Sequence, residues 1–421
     1  MIELIIPSNP YLDDETRNPP LGLLYIAAFM EKLGYPVHIT DLRGKQVTDF
    51  QLEDADIYGV TAASPDYLLS LEIARIIKAK KPQSWTVLGG VHASSVPQQI
   101  GPEFDKVVVG EGELAFQQVV QDFYNDVQDR RYYESGYIED LDSIPFPAMH
   151  LLPSEALFSK NAVHMGGECT GAIITSRGCP HHCSFCSSNT MWGRKVRFRS
   201  PQNVVAEIEH IIREYGITTF RFHDDTMTLN RYRFEELCKL LAPLGIQWRA
   251  NARVDTSNLE TLQMMKKSGC IQVGYGIESL SQKVLDKCHK GTTLQDIHLA
   301  LRNVKLAELE CRLFFIIGLP GEPLGFANRL EEFLEIHDPD GVNLLTFVPY
   351  PGSSVFYHPE QYDIVLKEVP LDQFIMALGL KGNEAEQPLT FVHDVMTEEQ
   401  IINERKKALR VIQKRDLVKN F

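Results

Sequence analysis

A chain of 421 residues exceeds one typical domain, and an apolar fraction of 44% is enough to fill more than one core. Its 56 acidic against 42 basic residues give a net charge of −14, which excludes a broad basic footprint for nucleic acid. No apolar run reaches the roughly 20 residues of a membrane helix. The start, MIELIIPSNP, lacks the basic flank of a secretion signal, so a cytoplasmic protein with no transmembrane segment is expected.

IELII at 2–6 reads as a buried first strand. PPLGLLYIAAFMEKLGY follows with apolar residues at helical spacing and Gly34 near its end. Strands are then predicted at 37–42, 56–64, 85–90 and 106–113, with a helix over 68–80 that stops before Pro82. Five strands alternating with helices predict parallel βαβ units and an open doubly wound sheet over residues 1–130. Ligands of such sheets sit beyond the carboxyl ends of the strands, here ITDLRG, TAASPD, GGVHASS and GEGE.

From 131 to 168 the alternation lapses into YIEDLDSIPFPAMHLLP, rich in proline and acidic residues, which reads as a linker. It resumes at GAIITS, 171–176, and continues with TTFRFHDD, IQWRANA, IQVGYGIE, CRLFFIIG and GVNLLTFVP, with helical stretches between. Six β/α units over 169–352 are too few to close an eightfold barrel, so a partial barrel is predicted, its site at the carboxyl ends of the strands. The remainder, 353–421, reads as a mostly helical segment. Within it 354–396 takes no clear fold, and 397–415 reads as one amphipathic helix with a capping box of Thr397 and Gln400.

Just after the first strand of that second run stands RGCPHHCSFCSS, 177–188. It spends three of eight cysteines, Cys179, Cys183 and Cys186, in the spacing C-x3-C-x2-C. Cys169, Cys238, Cys270, Cys288 and Cys311 are scattered singly and read as reduced packing cysteines, Cys169 with less assurance because it lies near the cluster. Zinc is the rival reading, with His181 or His182 as fourth ligand. Structural zinc sites, however, usually use two closely spaced pairs. A cubane iron–sulfur cluster binds four cysteines when saturated. With three, one iron keeps an open position that an amine and a carboxylate together could chelate, as on the methionyl end of S-adenosylmethionine (SAM). An electron from the cluster could then cleave the sulfonium C–S bond and release a 5′-deoxyadenosyl radical.

The cysteine spacing, with Phe185 before the last cysteine, resembles the signature of the radical SAM superfamily. FHDDTMTLN, RANARVD, VGYGIES, FFIIGLPGE and PYPGS resemble the consecutive strand-end motifs of its members with an N-terminal cobalamin-binding domain. PPLGLLYIAAFMEKLGY, GGVHAS and GEGE resemble that branch's first domain, so the resemblance runs from about residue 18 to 352. It implies a Rossmann-like cobalamin-binding sheet followed by a partial (β/α)6 barrel. It implies a [4Fe–4S] cluster on the three cysteines, SAM and cobalamin as cofactors, and an electron donor such as flavodoxin or ferredoxin.

Phe185 would flank the adenine. Asp224 and Asp225 end a strand beside the cluster, where a carboxylate suits the methionyl ammonium. Arg253 ends the next strand and matches a carboxylate geometrically. Glu278 is expected on ribose hydroxyls or the ammonium, and Gly318 and Glu322, in GLPGE, on close backbone approach to the ligand. In the first domain Ser64, Gly89, Gly90 and Glu111 are the expected cobalamin contacts, with Glu111 also an anchor of the domain interface. His92 is expected to be structural, and His223 to be packed. The motif D-x-H-x-x-G, whose histidine ligates cobalt, is absent, and DLRG at 41–44 lacks the histidine. Cobalamin is therefore expected without a protein histidine on cobalt.

Two reactions fit equally: methyl transfer from cobalamin to an unactivated carbon, or a radical cyclisation, ring contraction or oxidation without methyl transfer. Methyl transfer is the commoner in the branch. The substrate is expected to be a small molecule or a peptide.

Overall fold

The computed structural model describes residues 1–9, 14–16, 19–158, 169–371, 374 and 389–417. The expected start of the resemblance at residue 18, the end of the 131–168 linker and parts of the 353–421 segment lie outside them.

The first sheet is built from β1 (Ile2–Ile6), β2 (Val37–Asp41), β3 (Ile57–Thr61), β4 (Trp85–Gly89), β5 (Lys106–Val108) and β6 (Tyr132–Tyr133). All pair in parallel, in the order β2-β1-β3-β4-β5-β6. The five predicted strands are present. The sixth, β6, lies in the stretch read as linker, because two residues are too short to show a period. Ile2, Leu4, Ile57 and Val87 bury against the helices Leu21–Lys32 and Gly112–Tyr124, while Ile5, Tyr58, Val60 and Leu88 bury on the opposite face. Strand order reverses between β1 and β3, which opens a crevice at their carboxyl ends.

The second sheet holds β7 (Thr170–Ile173), β10 (Thr219–Phe222), β11 (Gln247–Ala252), β12 (Cys270–Glu278), β13 (Glu310–Ile317) and β14 (Gly341–Thr346). A small antiparallel ladder, β8 (Ser176–Arg177) with β9 (Arg197–Phe198), brackets the cysteine loop between β7 and β10. The six long strands are parallel in the order β14-β13-β12-β11-β10-β7, an open partial barrel. Phe220, Phe222, Trp248, Val273, Leu313 and Phe315 face the outer helices. Arg221, Arg249, Asn251, Gln272 and Arg312 alternate with them and line a small space on the other face.

The stretch that showed no clear fold contributes a helical turn, Ser354–Tyr357, and an antiparallel pair, β15 (Val365–Leu366) with β16 (Phe391–Val392). Val355, Tyr362, Phe391 and Met396 bury with Leu319 and Phe347 in a core that Phe185 packs against. The helix Glu398–Lys414 begins at the expected capping box of Thr397 and Gln400 and buries Ala408 and Ile412 in the main core. No helix among the described residues is long and apolar enough to cross a membrane.

Candidate functional site

The cysteine loop is fixed by backbone before any ligand is considered. β8 ends at Arg177, and Gly178 turns the chain at φ +102, where a side chain would meet the Lys195 carbonyl oxygen at 2.4 Å. Only glycine fits that turn. Cys179 N–H donates to Gly193 O (3.3 Å) and Cys186 N–H to Cys183 O (3.1 Å). Ser184 N–H donates to Cys288 O (2.9 Å) and its carbonyl accepts from Val355 N–H (3.0 Å), so the C-terminal core holds the loop from below. All three cysteines are half-buried free thiols.

Burial raises the Cys179 thiol and pushes Cys186 up to about 11, and Cys183 adds to both shifts, so the three lie close together. Yet no three His, Cys, Asp or Glu side chains among the described residues converge as a single-ion site needs. His181, the proposed zinc ligand, is lowered by burial and then by Arg253.

Strand ends surround this loop. Asp224 is buried and committed to the chain entering it: it accepts from Thr175 N–H (2.6 Å), Thr175 Oγ1–H (2.5 Å) and Ser176 Oγ–H (2.8 Å). Asp225, its neighbour, is exposed and accepts from Ser188 Oγ–H of the cysteine loop at 2.5 Å. Arg253 ends β11, clamps Asp255 (3.0 and 2.9 Å) and donates to Lys290 O (3.0 Å). Both Asp225 and Arg253 act on the Cys179 thiol, which places them beside it.

Glu278 ends β12 at a register shift with φ +68, a strained conformation for a residue with a side chain. Its carboxylate pairs with Lys290 at 2.8 Å, and the ammonium stands 5.9 Å from the Phe185 ring centre. Lys290 carried no recognisable motif and was missed in the sequence. Gly318 turns the chain at φ +86 after β13. Glu322 is fully buried, accepts from Ser279 Oγ–H (2.6 Å) and Arg329 (2.7 Å), and ties the β12 end to that turn instead of facing the cleft.

In the first domain a cavity of about 380 Å³ opens at the β1/β3 crevice. Gly89, Gly90 and Glu111 line it; Ser64 does not. Ser64 is buried and shares a hydrogen bond with His92 Nδ1 (2.9 Å), while Ala62, Ala63 and Asp66 of the same loop face the cavity. Burial lowers His92 to about 4, so it is neutral and structural. At Gly89 a β-carbon would meet only Val108, at 3.7 Å, and would otherwise project into open space. Gly90 has φ +91, and a β-carbon would come within 2.8 Å of Ala62 O.

Three cavity-lining side chains keep a buried atom with no hydrogen-bond partner among the described residues: Arg177 Nη1, Asp66 Oδ1 and Glu111 Oε1, the last facing Arg197 as an ion pair. Unmet donor and acceptor atoms on residues that line one cavity suit a ligand rich in amides, as cobalamin is. No histidine is among the described residues that line the cavity.

Arg177, Met191 and Trp192 of the cysteine-bearing segment complete the cavity wall. The two sheets meet there through buried ion pairs. Arg177 Nη2 donates to Glu113 Oε1 (2.6 Å), and Arg197 pairs with Glu111 Oε1 (2.5 Å). Glu111 Oε2 accepts from Ile138 N–H at 2.9 Å. GEGE is therefore both cavity rim and seam.

Comparison with known proteins agrees with this arrangement. The family profile described as "B12 binding domain" matches residues 14–120, and "Radical SAM superfamily" matches residues 173–335. An uncharacterised methyltransferase of Pyrococcus horikoshii is 31% identical over 376 residues, covering 83% of this chain and 80% of its own. An anaerobic magnesium-protoporphyrin IX monomethyl ester cyclase of Cereibacter sphaeroides is 28% identical, covering 80% of this chain and 60% of its own. The fold is shared with the radical SAM methyltransferase TsrM of Kitasatospora setae, solved with tryptophan and a SAM analogue. The TM-score is 0.65 at 16% identity, covering 88% of this chain and 79% of that one. The chain belongs to the radical SAM enzymes that carry an N-terminal cobalamin-binding domain, whose cofactors are a [4Fe–4S] cluster, SAM and cobalamin.

Proposed function

We propose that this enzyme transfers a methyl group, by way of cobalamin, to an unactivated carbon of a small-molecule or peptide substrate. The observation that carries the reading is the shared seam: the wall of the first-domain cavity is completed by Arg177 and Trp192, the residues that flank the cysteine loop in the chain. In this reading Cys179, Cys183 and Cys186 would hold the cluster and leave it open to the amine and carboxylate of SAM. When bound, the cluster supplies the electron that breaks the 5′ C–S bond of SAM, and cobalamin supplies the methyl carrier. The protein's own work is binding and orientation. Asp225 faces the methionyl ammonium, Arg253 its carboxylate, and the Glu278–Lys290 pair the ribose, with Phe185 under the adenine. Asp224 and Glu322 hold the two chain segments that frame this pocket. The first-domain cavity would hold cobalamin, and no histidine is among the described residues that line it. A flavodoxin or ferredoxin is the expected electron donor.

The methyltransferase relative supports this reaction. The cyclase relative supports a second: radical rearrangement or oxidation on the same cofactors, with no methyl transferred.

The ligand shell is tested with Asp225→Ala. Loss of one charge-assisted contact, about 1.5–3 kcal/mol, is expected to weaken SAM binding roughly ten- to hundredfold. Calorimetric titration of the reconstituted enzyme reads the affinity, and the brown absorbance reads the cluster, which is expected to persist. Unchanged SAM affinity would remove Asp225 from the pocket.

A further inference from the structure

The Arg177 side chain is built as a fork with one prong in use. It is almost fully buried, at 4% exposure, although it belongs to the strand that runs into Cys179. Its guanidinium lies over the rings of Trp192 (4.7 Å) and Tyr25 (5.4 Å), which fixes the plane. Nη2 is spent on Glu113 at 2.6 Å. Nη1 stands 3.5 Å from Glu111 Oε2, an ion-pair contact without hydrogen-bond geometry, and it has no hydrogen-bond partner among the described residues. The same residue lines the first-domain cavity. A buried guanidinium N–H left unmet is costly; Nη1 is closed off from solvent, and a small turn of the fork toward a ligand oxygen in the cavity would meet it. Cobalamin carries two kinds of such oxygen, the amide carbonyls around its ring and the phosphodiester of its nucleotide tail.

We propose that Arg177 is the barrel domain's own hydrogen-bond donor to cobalamin, through Nη1 to an amide or phosphate oxygen, so that filling the first-domain cavity fixes the strand leading into the cysteine loop. This rests on the reading that the cavity holds cobalamin. The cofactor of one domain thereby sets the entry to the other domain's cluster: Arg177 precedes Gly178, whose turn admits no side chain, and Gly178 precedes Cys179. Glu113 and the two rings hold the guanidinium ready before the cofactor arrives.

The test uses the full chain with its cluster reconstituted anaerobically, titrated with hydroxocobalamin and followed by quenching of Trp192, one of three tryptophans, with Trp192→Phe identifying its signal. Arg177→Lys keeps a cation for Glu113 but has no second prong, and is expected to weaken cobalamin binding about tenfold or more. The double variant Arg177→Met with Glu113→Met removes the buried pair without leaving a lone charge, and is expected to lose as much. In the unaltered protein, cobalamin is expected to slow hydrogen exchange in peptides spanning 176–178 and 197–198, a readout that needs no variant. Dicyanocobinamide, which lacks the nucleotide tail, separates the two oxygens. A variant deficit that persists with it assigns the ring amides, and one that vanishes assigns the phosphate. Folded variants that bind hydroxocobalamin as tightly as the unaltered protein, or exchange that cobalamin leaves unchanged, would overturn the proposal. Failure of the unaltered protein to take up any cobalamin would overturn the cavity reading beneath it, a result distinct from a deficit confined to the variants.

Discussion

Cys183→Ala is expected to abolish both the iron–sulfur absorbance and all reductive cleavage of SAM, with product falling below detection. The loop offers only three thiols; Cys288 adjoins it through its backbone carbonyl, but its thiol is buried in the C-terminal core, and Cys238 is buried in the main core, so neither is expected to replace a lost ligand. The fold is expected to survive. The loop's tethers are backbone contacts from Ser184 to Cys288 and Val355, and they do not involve the Cys183 thiol. Circular dichroism and anaerobic iron and sulfide analysis check both halves. The same result is expected for Cys179 and Cys186. Stoichiometric zinc without iron, in protein purified without oxygen, would return the site to the zinc reading.

Glu111→Ala is expected to cost about 3–5 kcal/mol of stability, the usual penalty for stripping one partner from a buried ion pair. Its carboxylate is inaccessible, pairs with Arg197 at 2.5 Å and accepts the Ile138 amide. After truncation Arg197 keeps, among the described residues, the carbonyls of Ile138 and Trp192, at 2.7 and 3.1 Å, and the Tyr137 ring at 4.8 Å. A cationic group then lies buried at the seam with no carboxylate against it. Denaturant titration of the apoprotein reads the loss. A change below about 1 kcal/mol would show that the seam is held by other contacts.

How far the sequence revealed this molecule differs by kind of feature. The long strands were legible because Val, Ile and Leu runs alternate with helical periods, and the Thr397–Gln400 capping box because it is local. β6 was not, at two residues. The cysteine loop was legible in full because its spacing is the chemistry. The carboxylates around it were legible only as a set. Asp224 and Asp225 are adjacent, and successive side chains leaving a strand point to opposite sides. One of them turns back onto Thr175 while the other meets Ser188 of the cysteine loop, and nothing in HDD says which. Glu322 was legible only as part of the GLPGE backbone turn, and its side chain is claimed by Ser279 and Arg329. Lys290 and Arg177 gave no signal of their own, because their roles depend on partners from other elements: Glu278 at the end of β12 in one case, Glu113 in the helix Gly112–Tyr124 in the other. The packing of Phe185 depended likewise on a C-terminal core assembled from short pieces that show no period.

Joining radical cleavage to cobalamin-borne methyl transfer in one chain is tested most directly by counting nucleoside products. Each reductive cleavage of SAM leaves one 5′-deoxyadenosine and one methionine, and each methyl taken from SAM leaves one S-adenosylhomocysteine. Reconstituted enzyme, with and without cobalamin, is incubated anaerobically with SAM and a low-potential reductant and its products are separated by liquid chromatography. The expected result is 5′-deoxyadenosine from both preparations and S-adenosylhomocysteine from the cobalamin-loaded one alone. 5′-Deoxyadenosine without S-adenosylhomocysteine from the loaded enzyme would contradict methyl transfer.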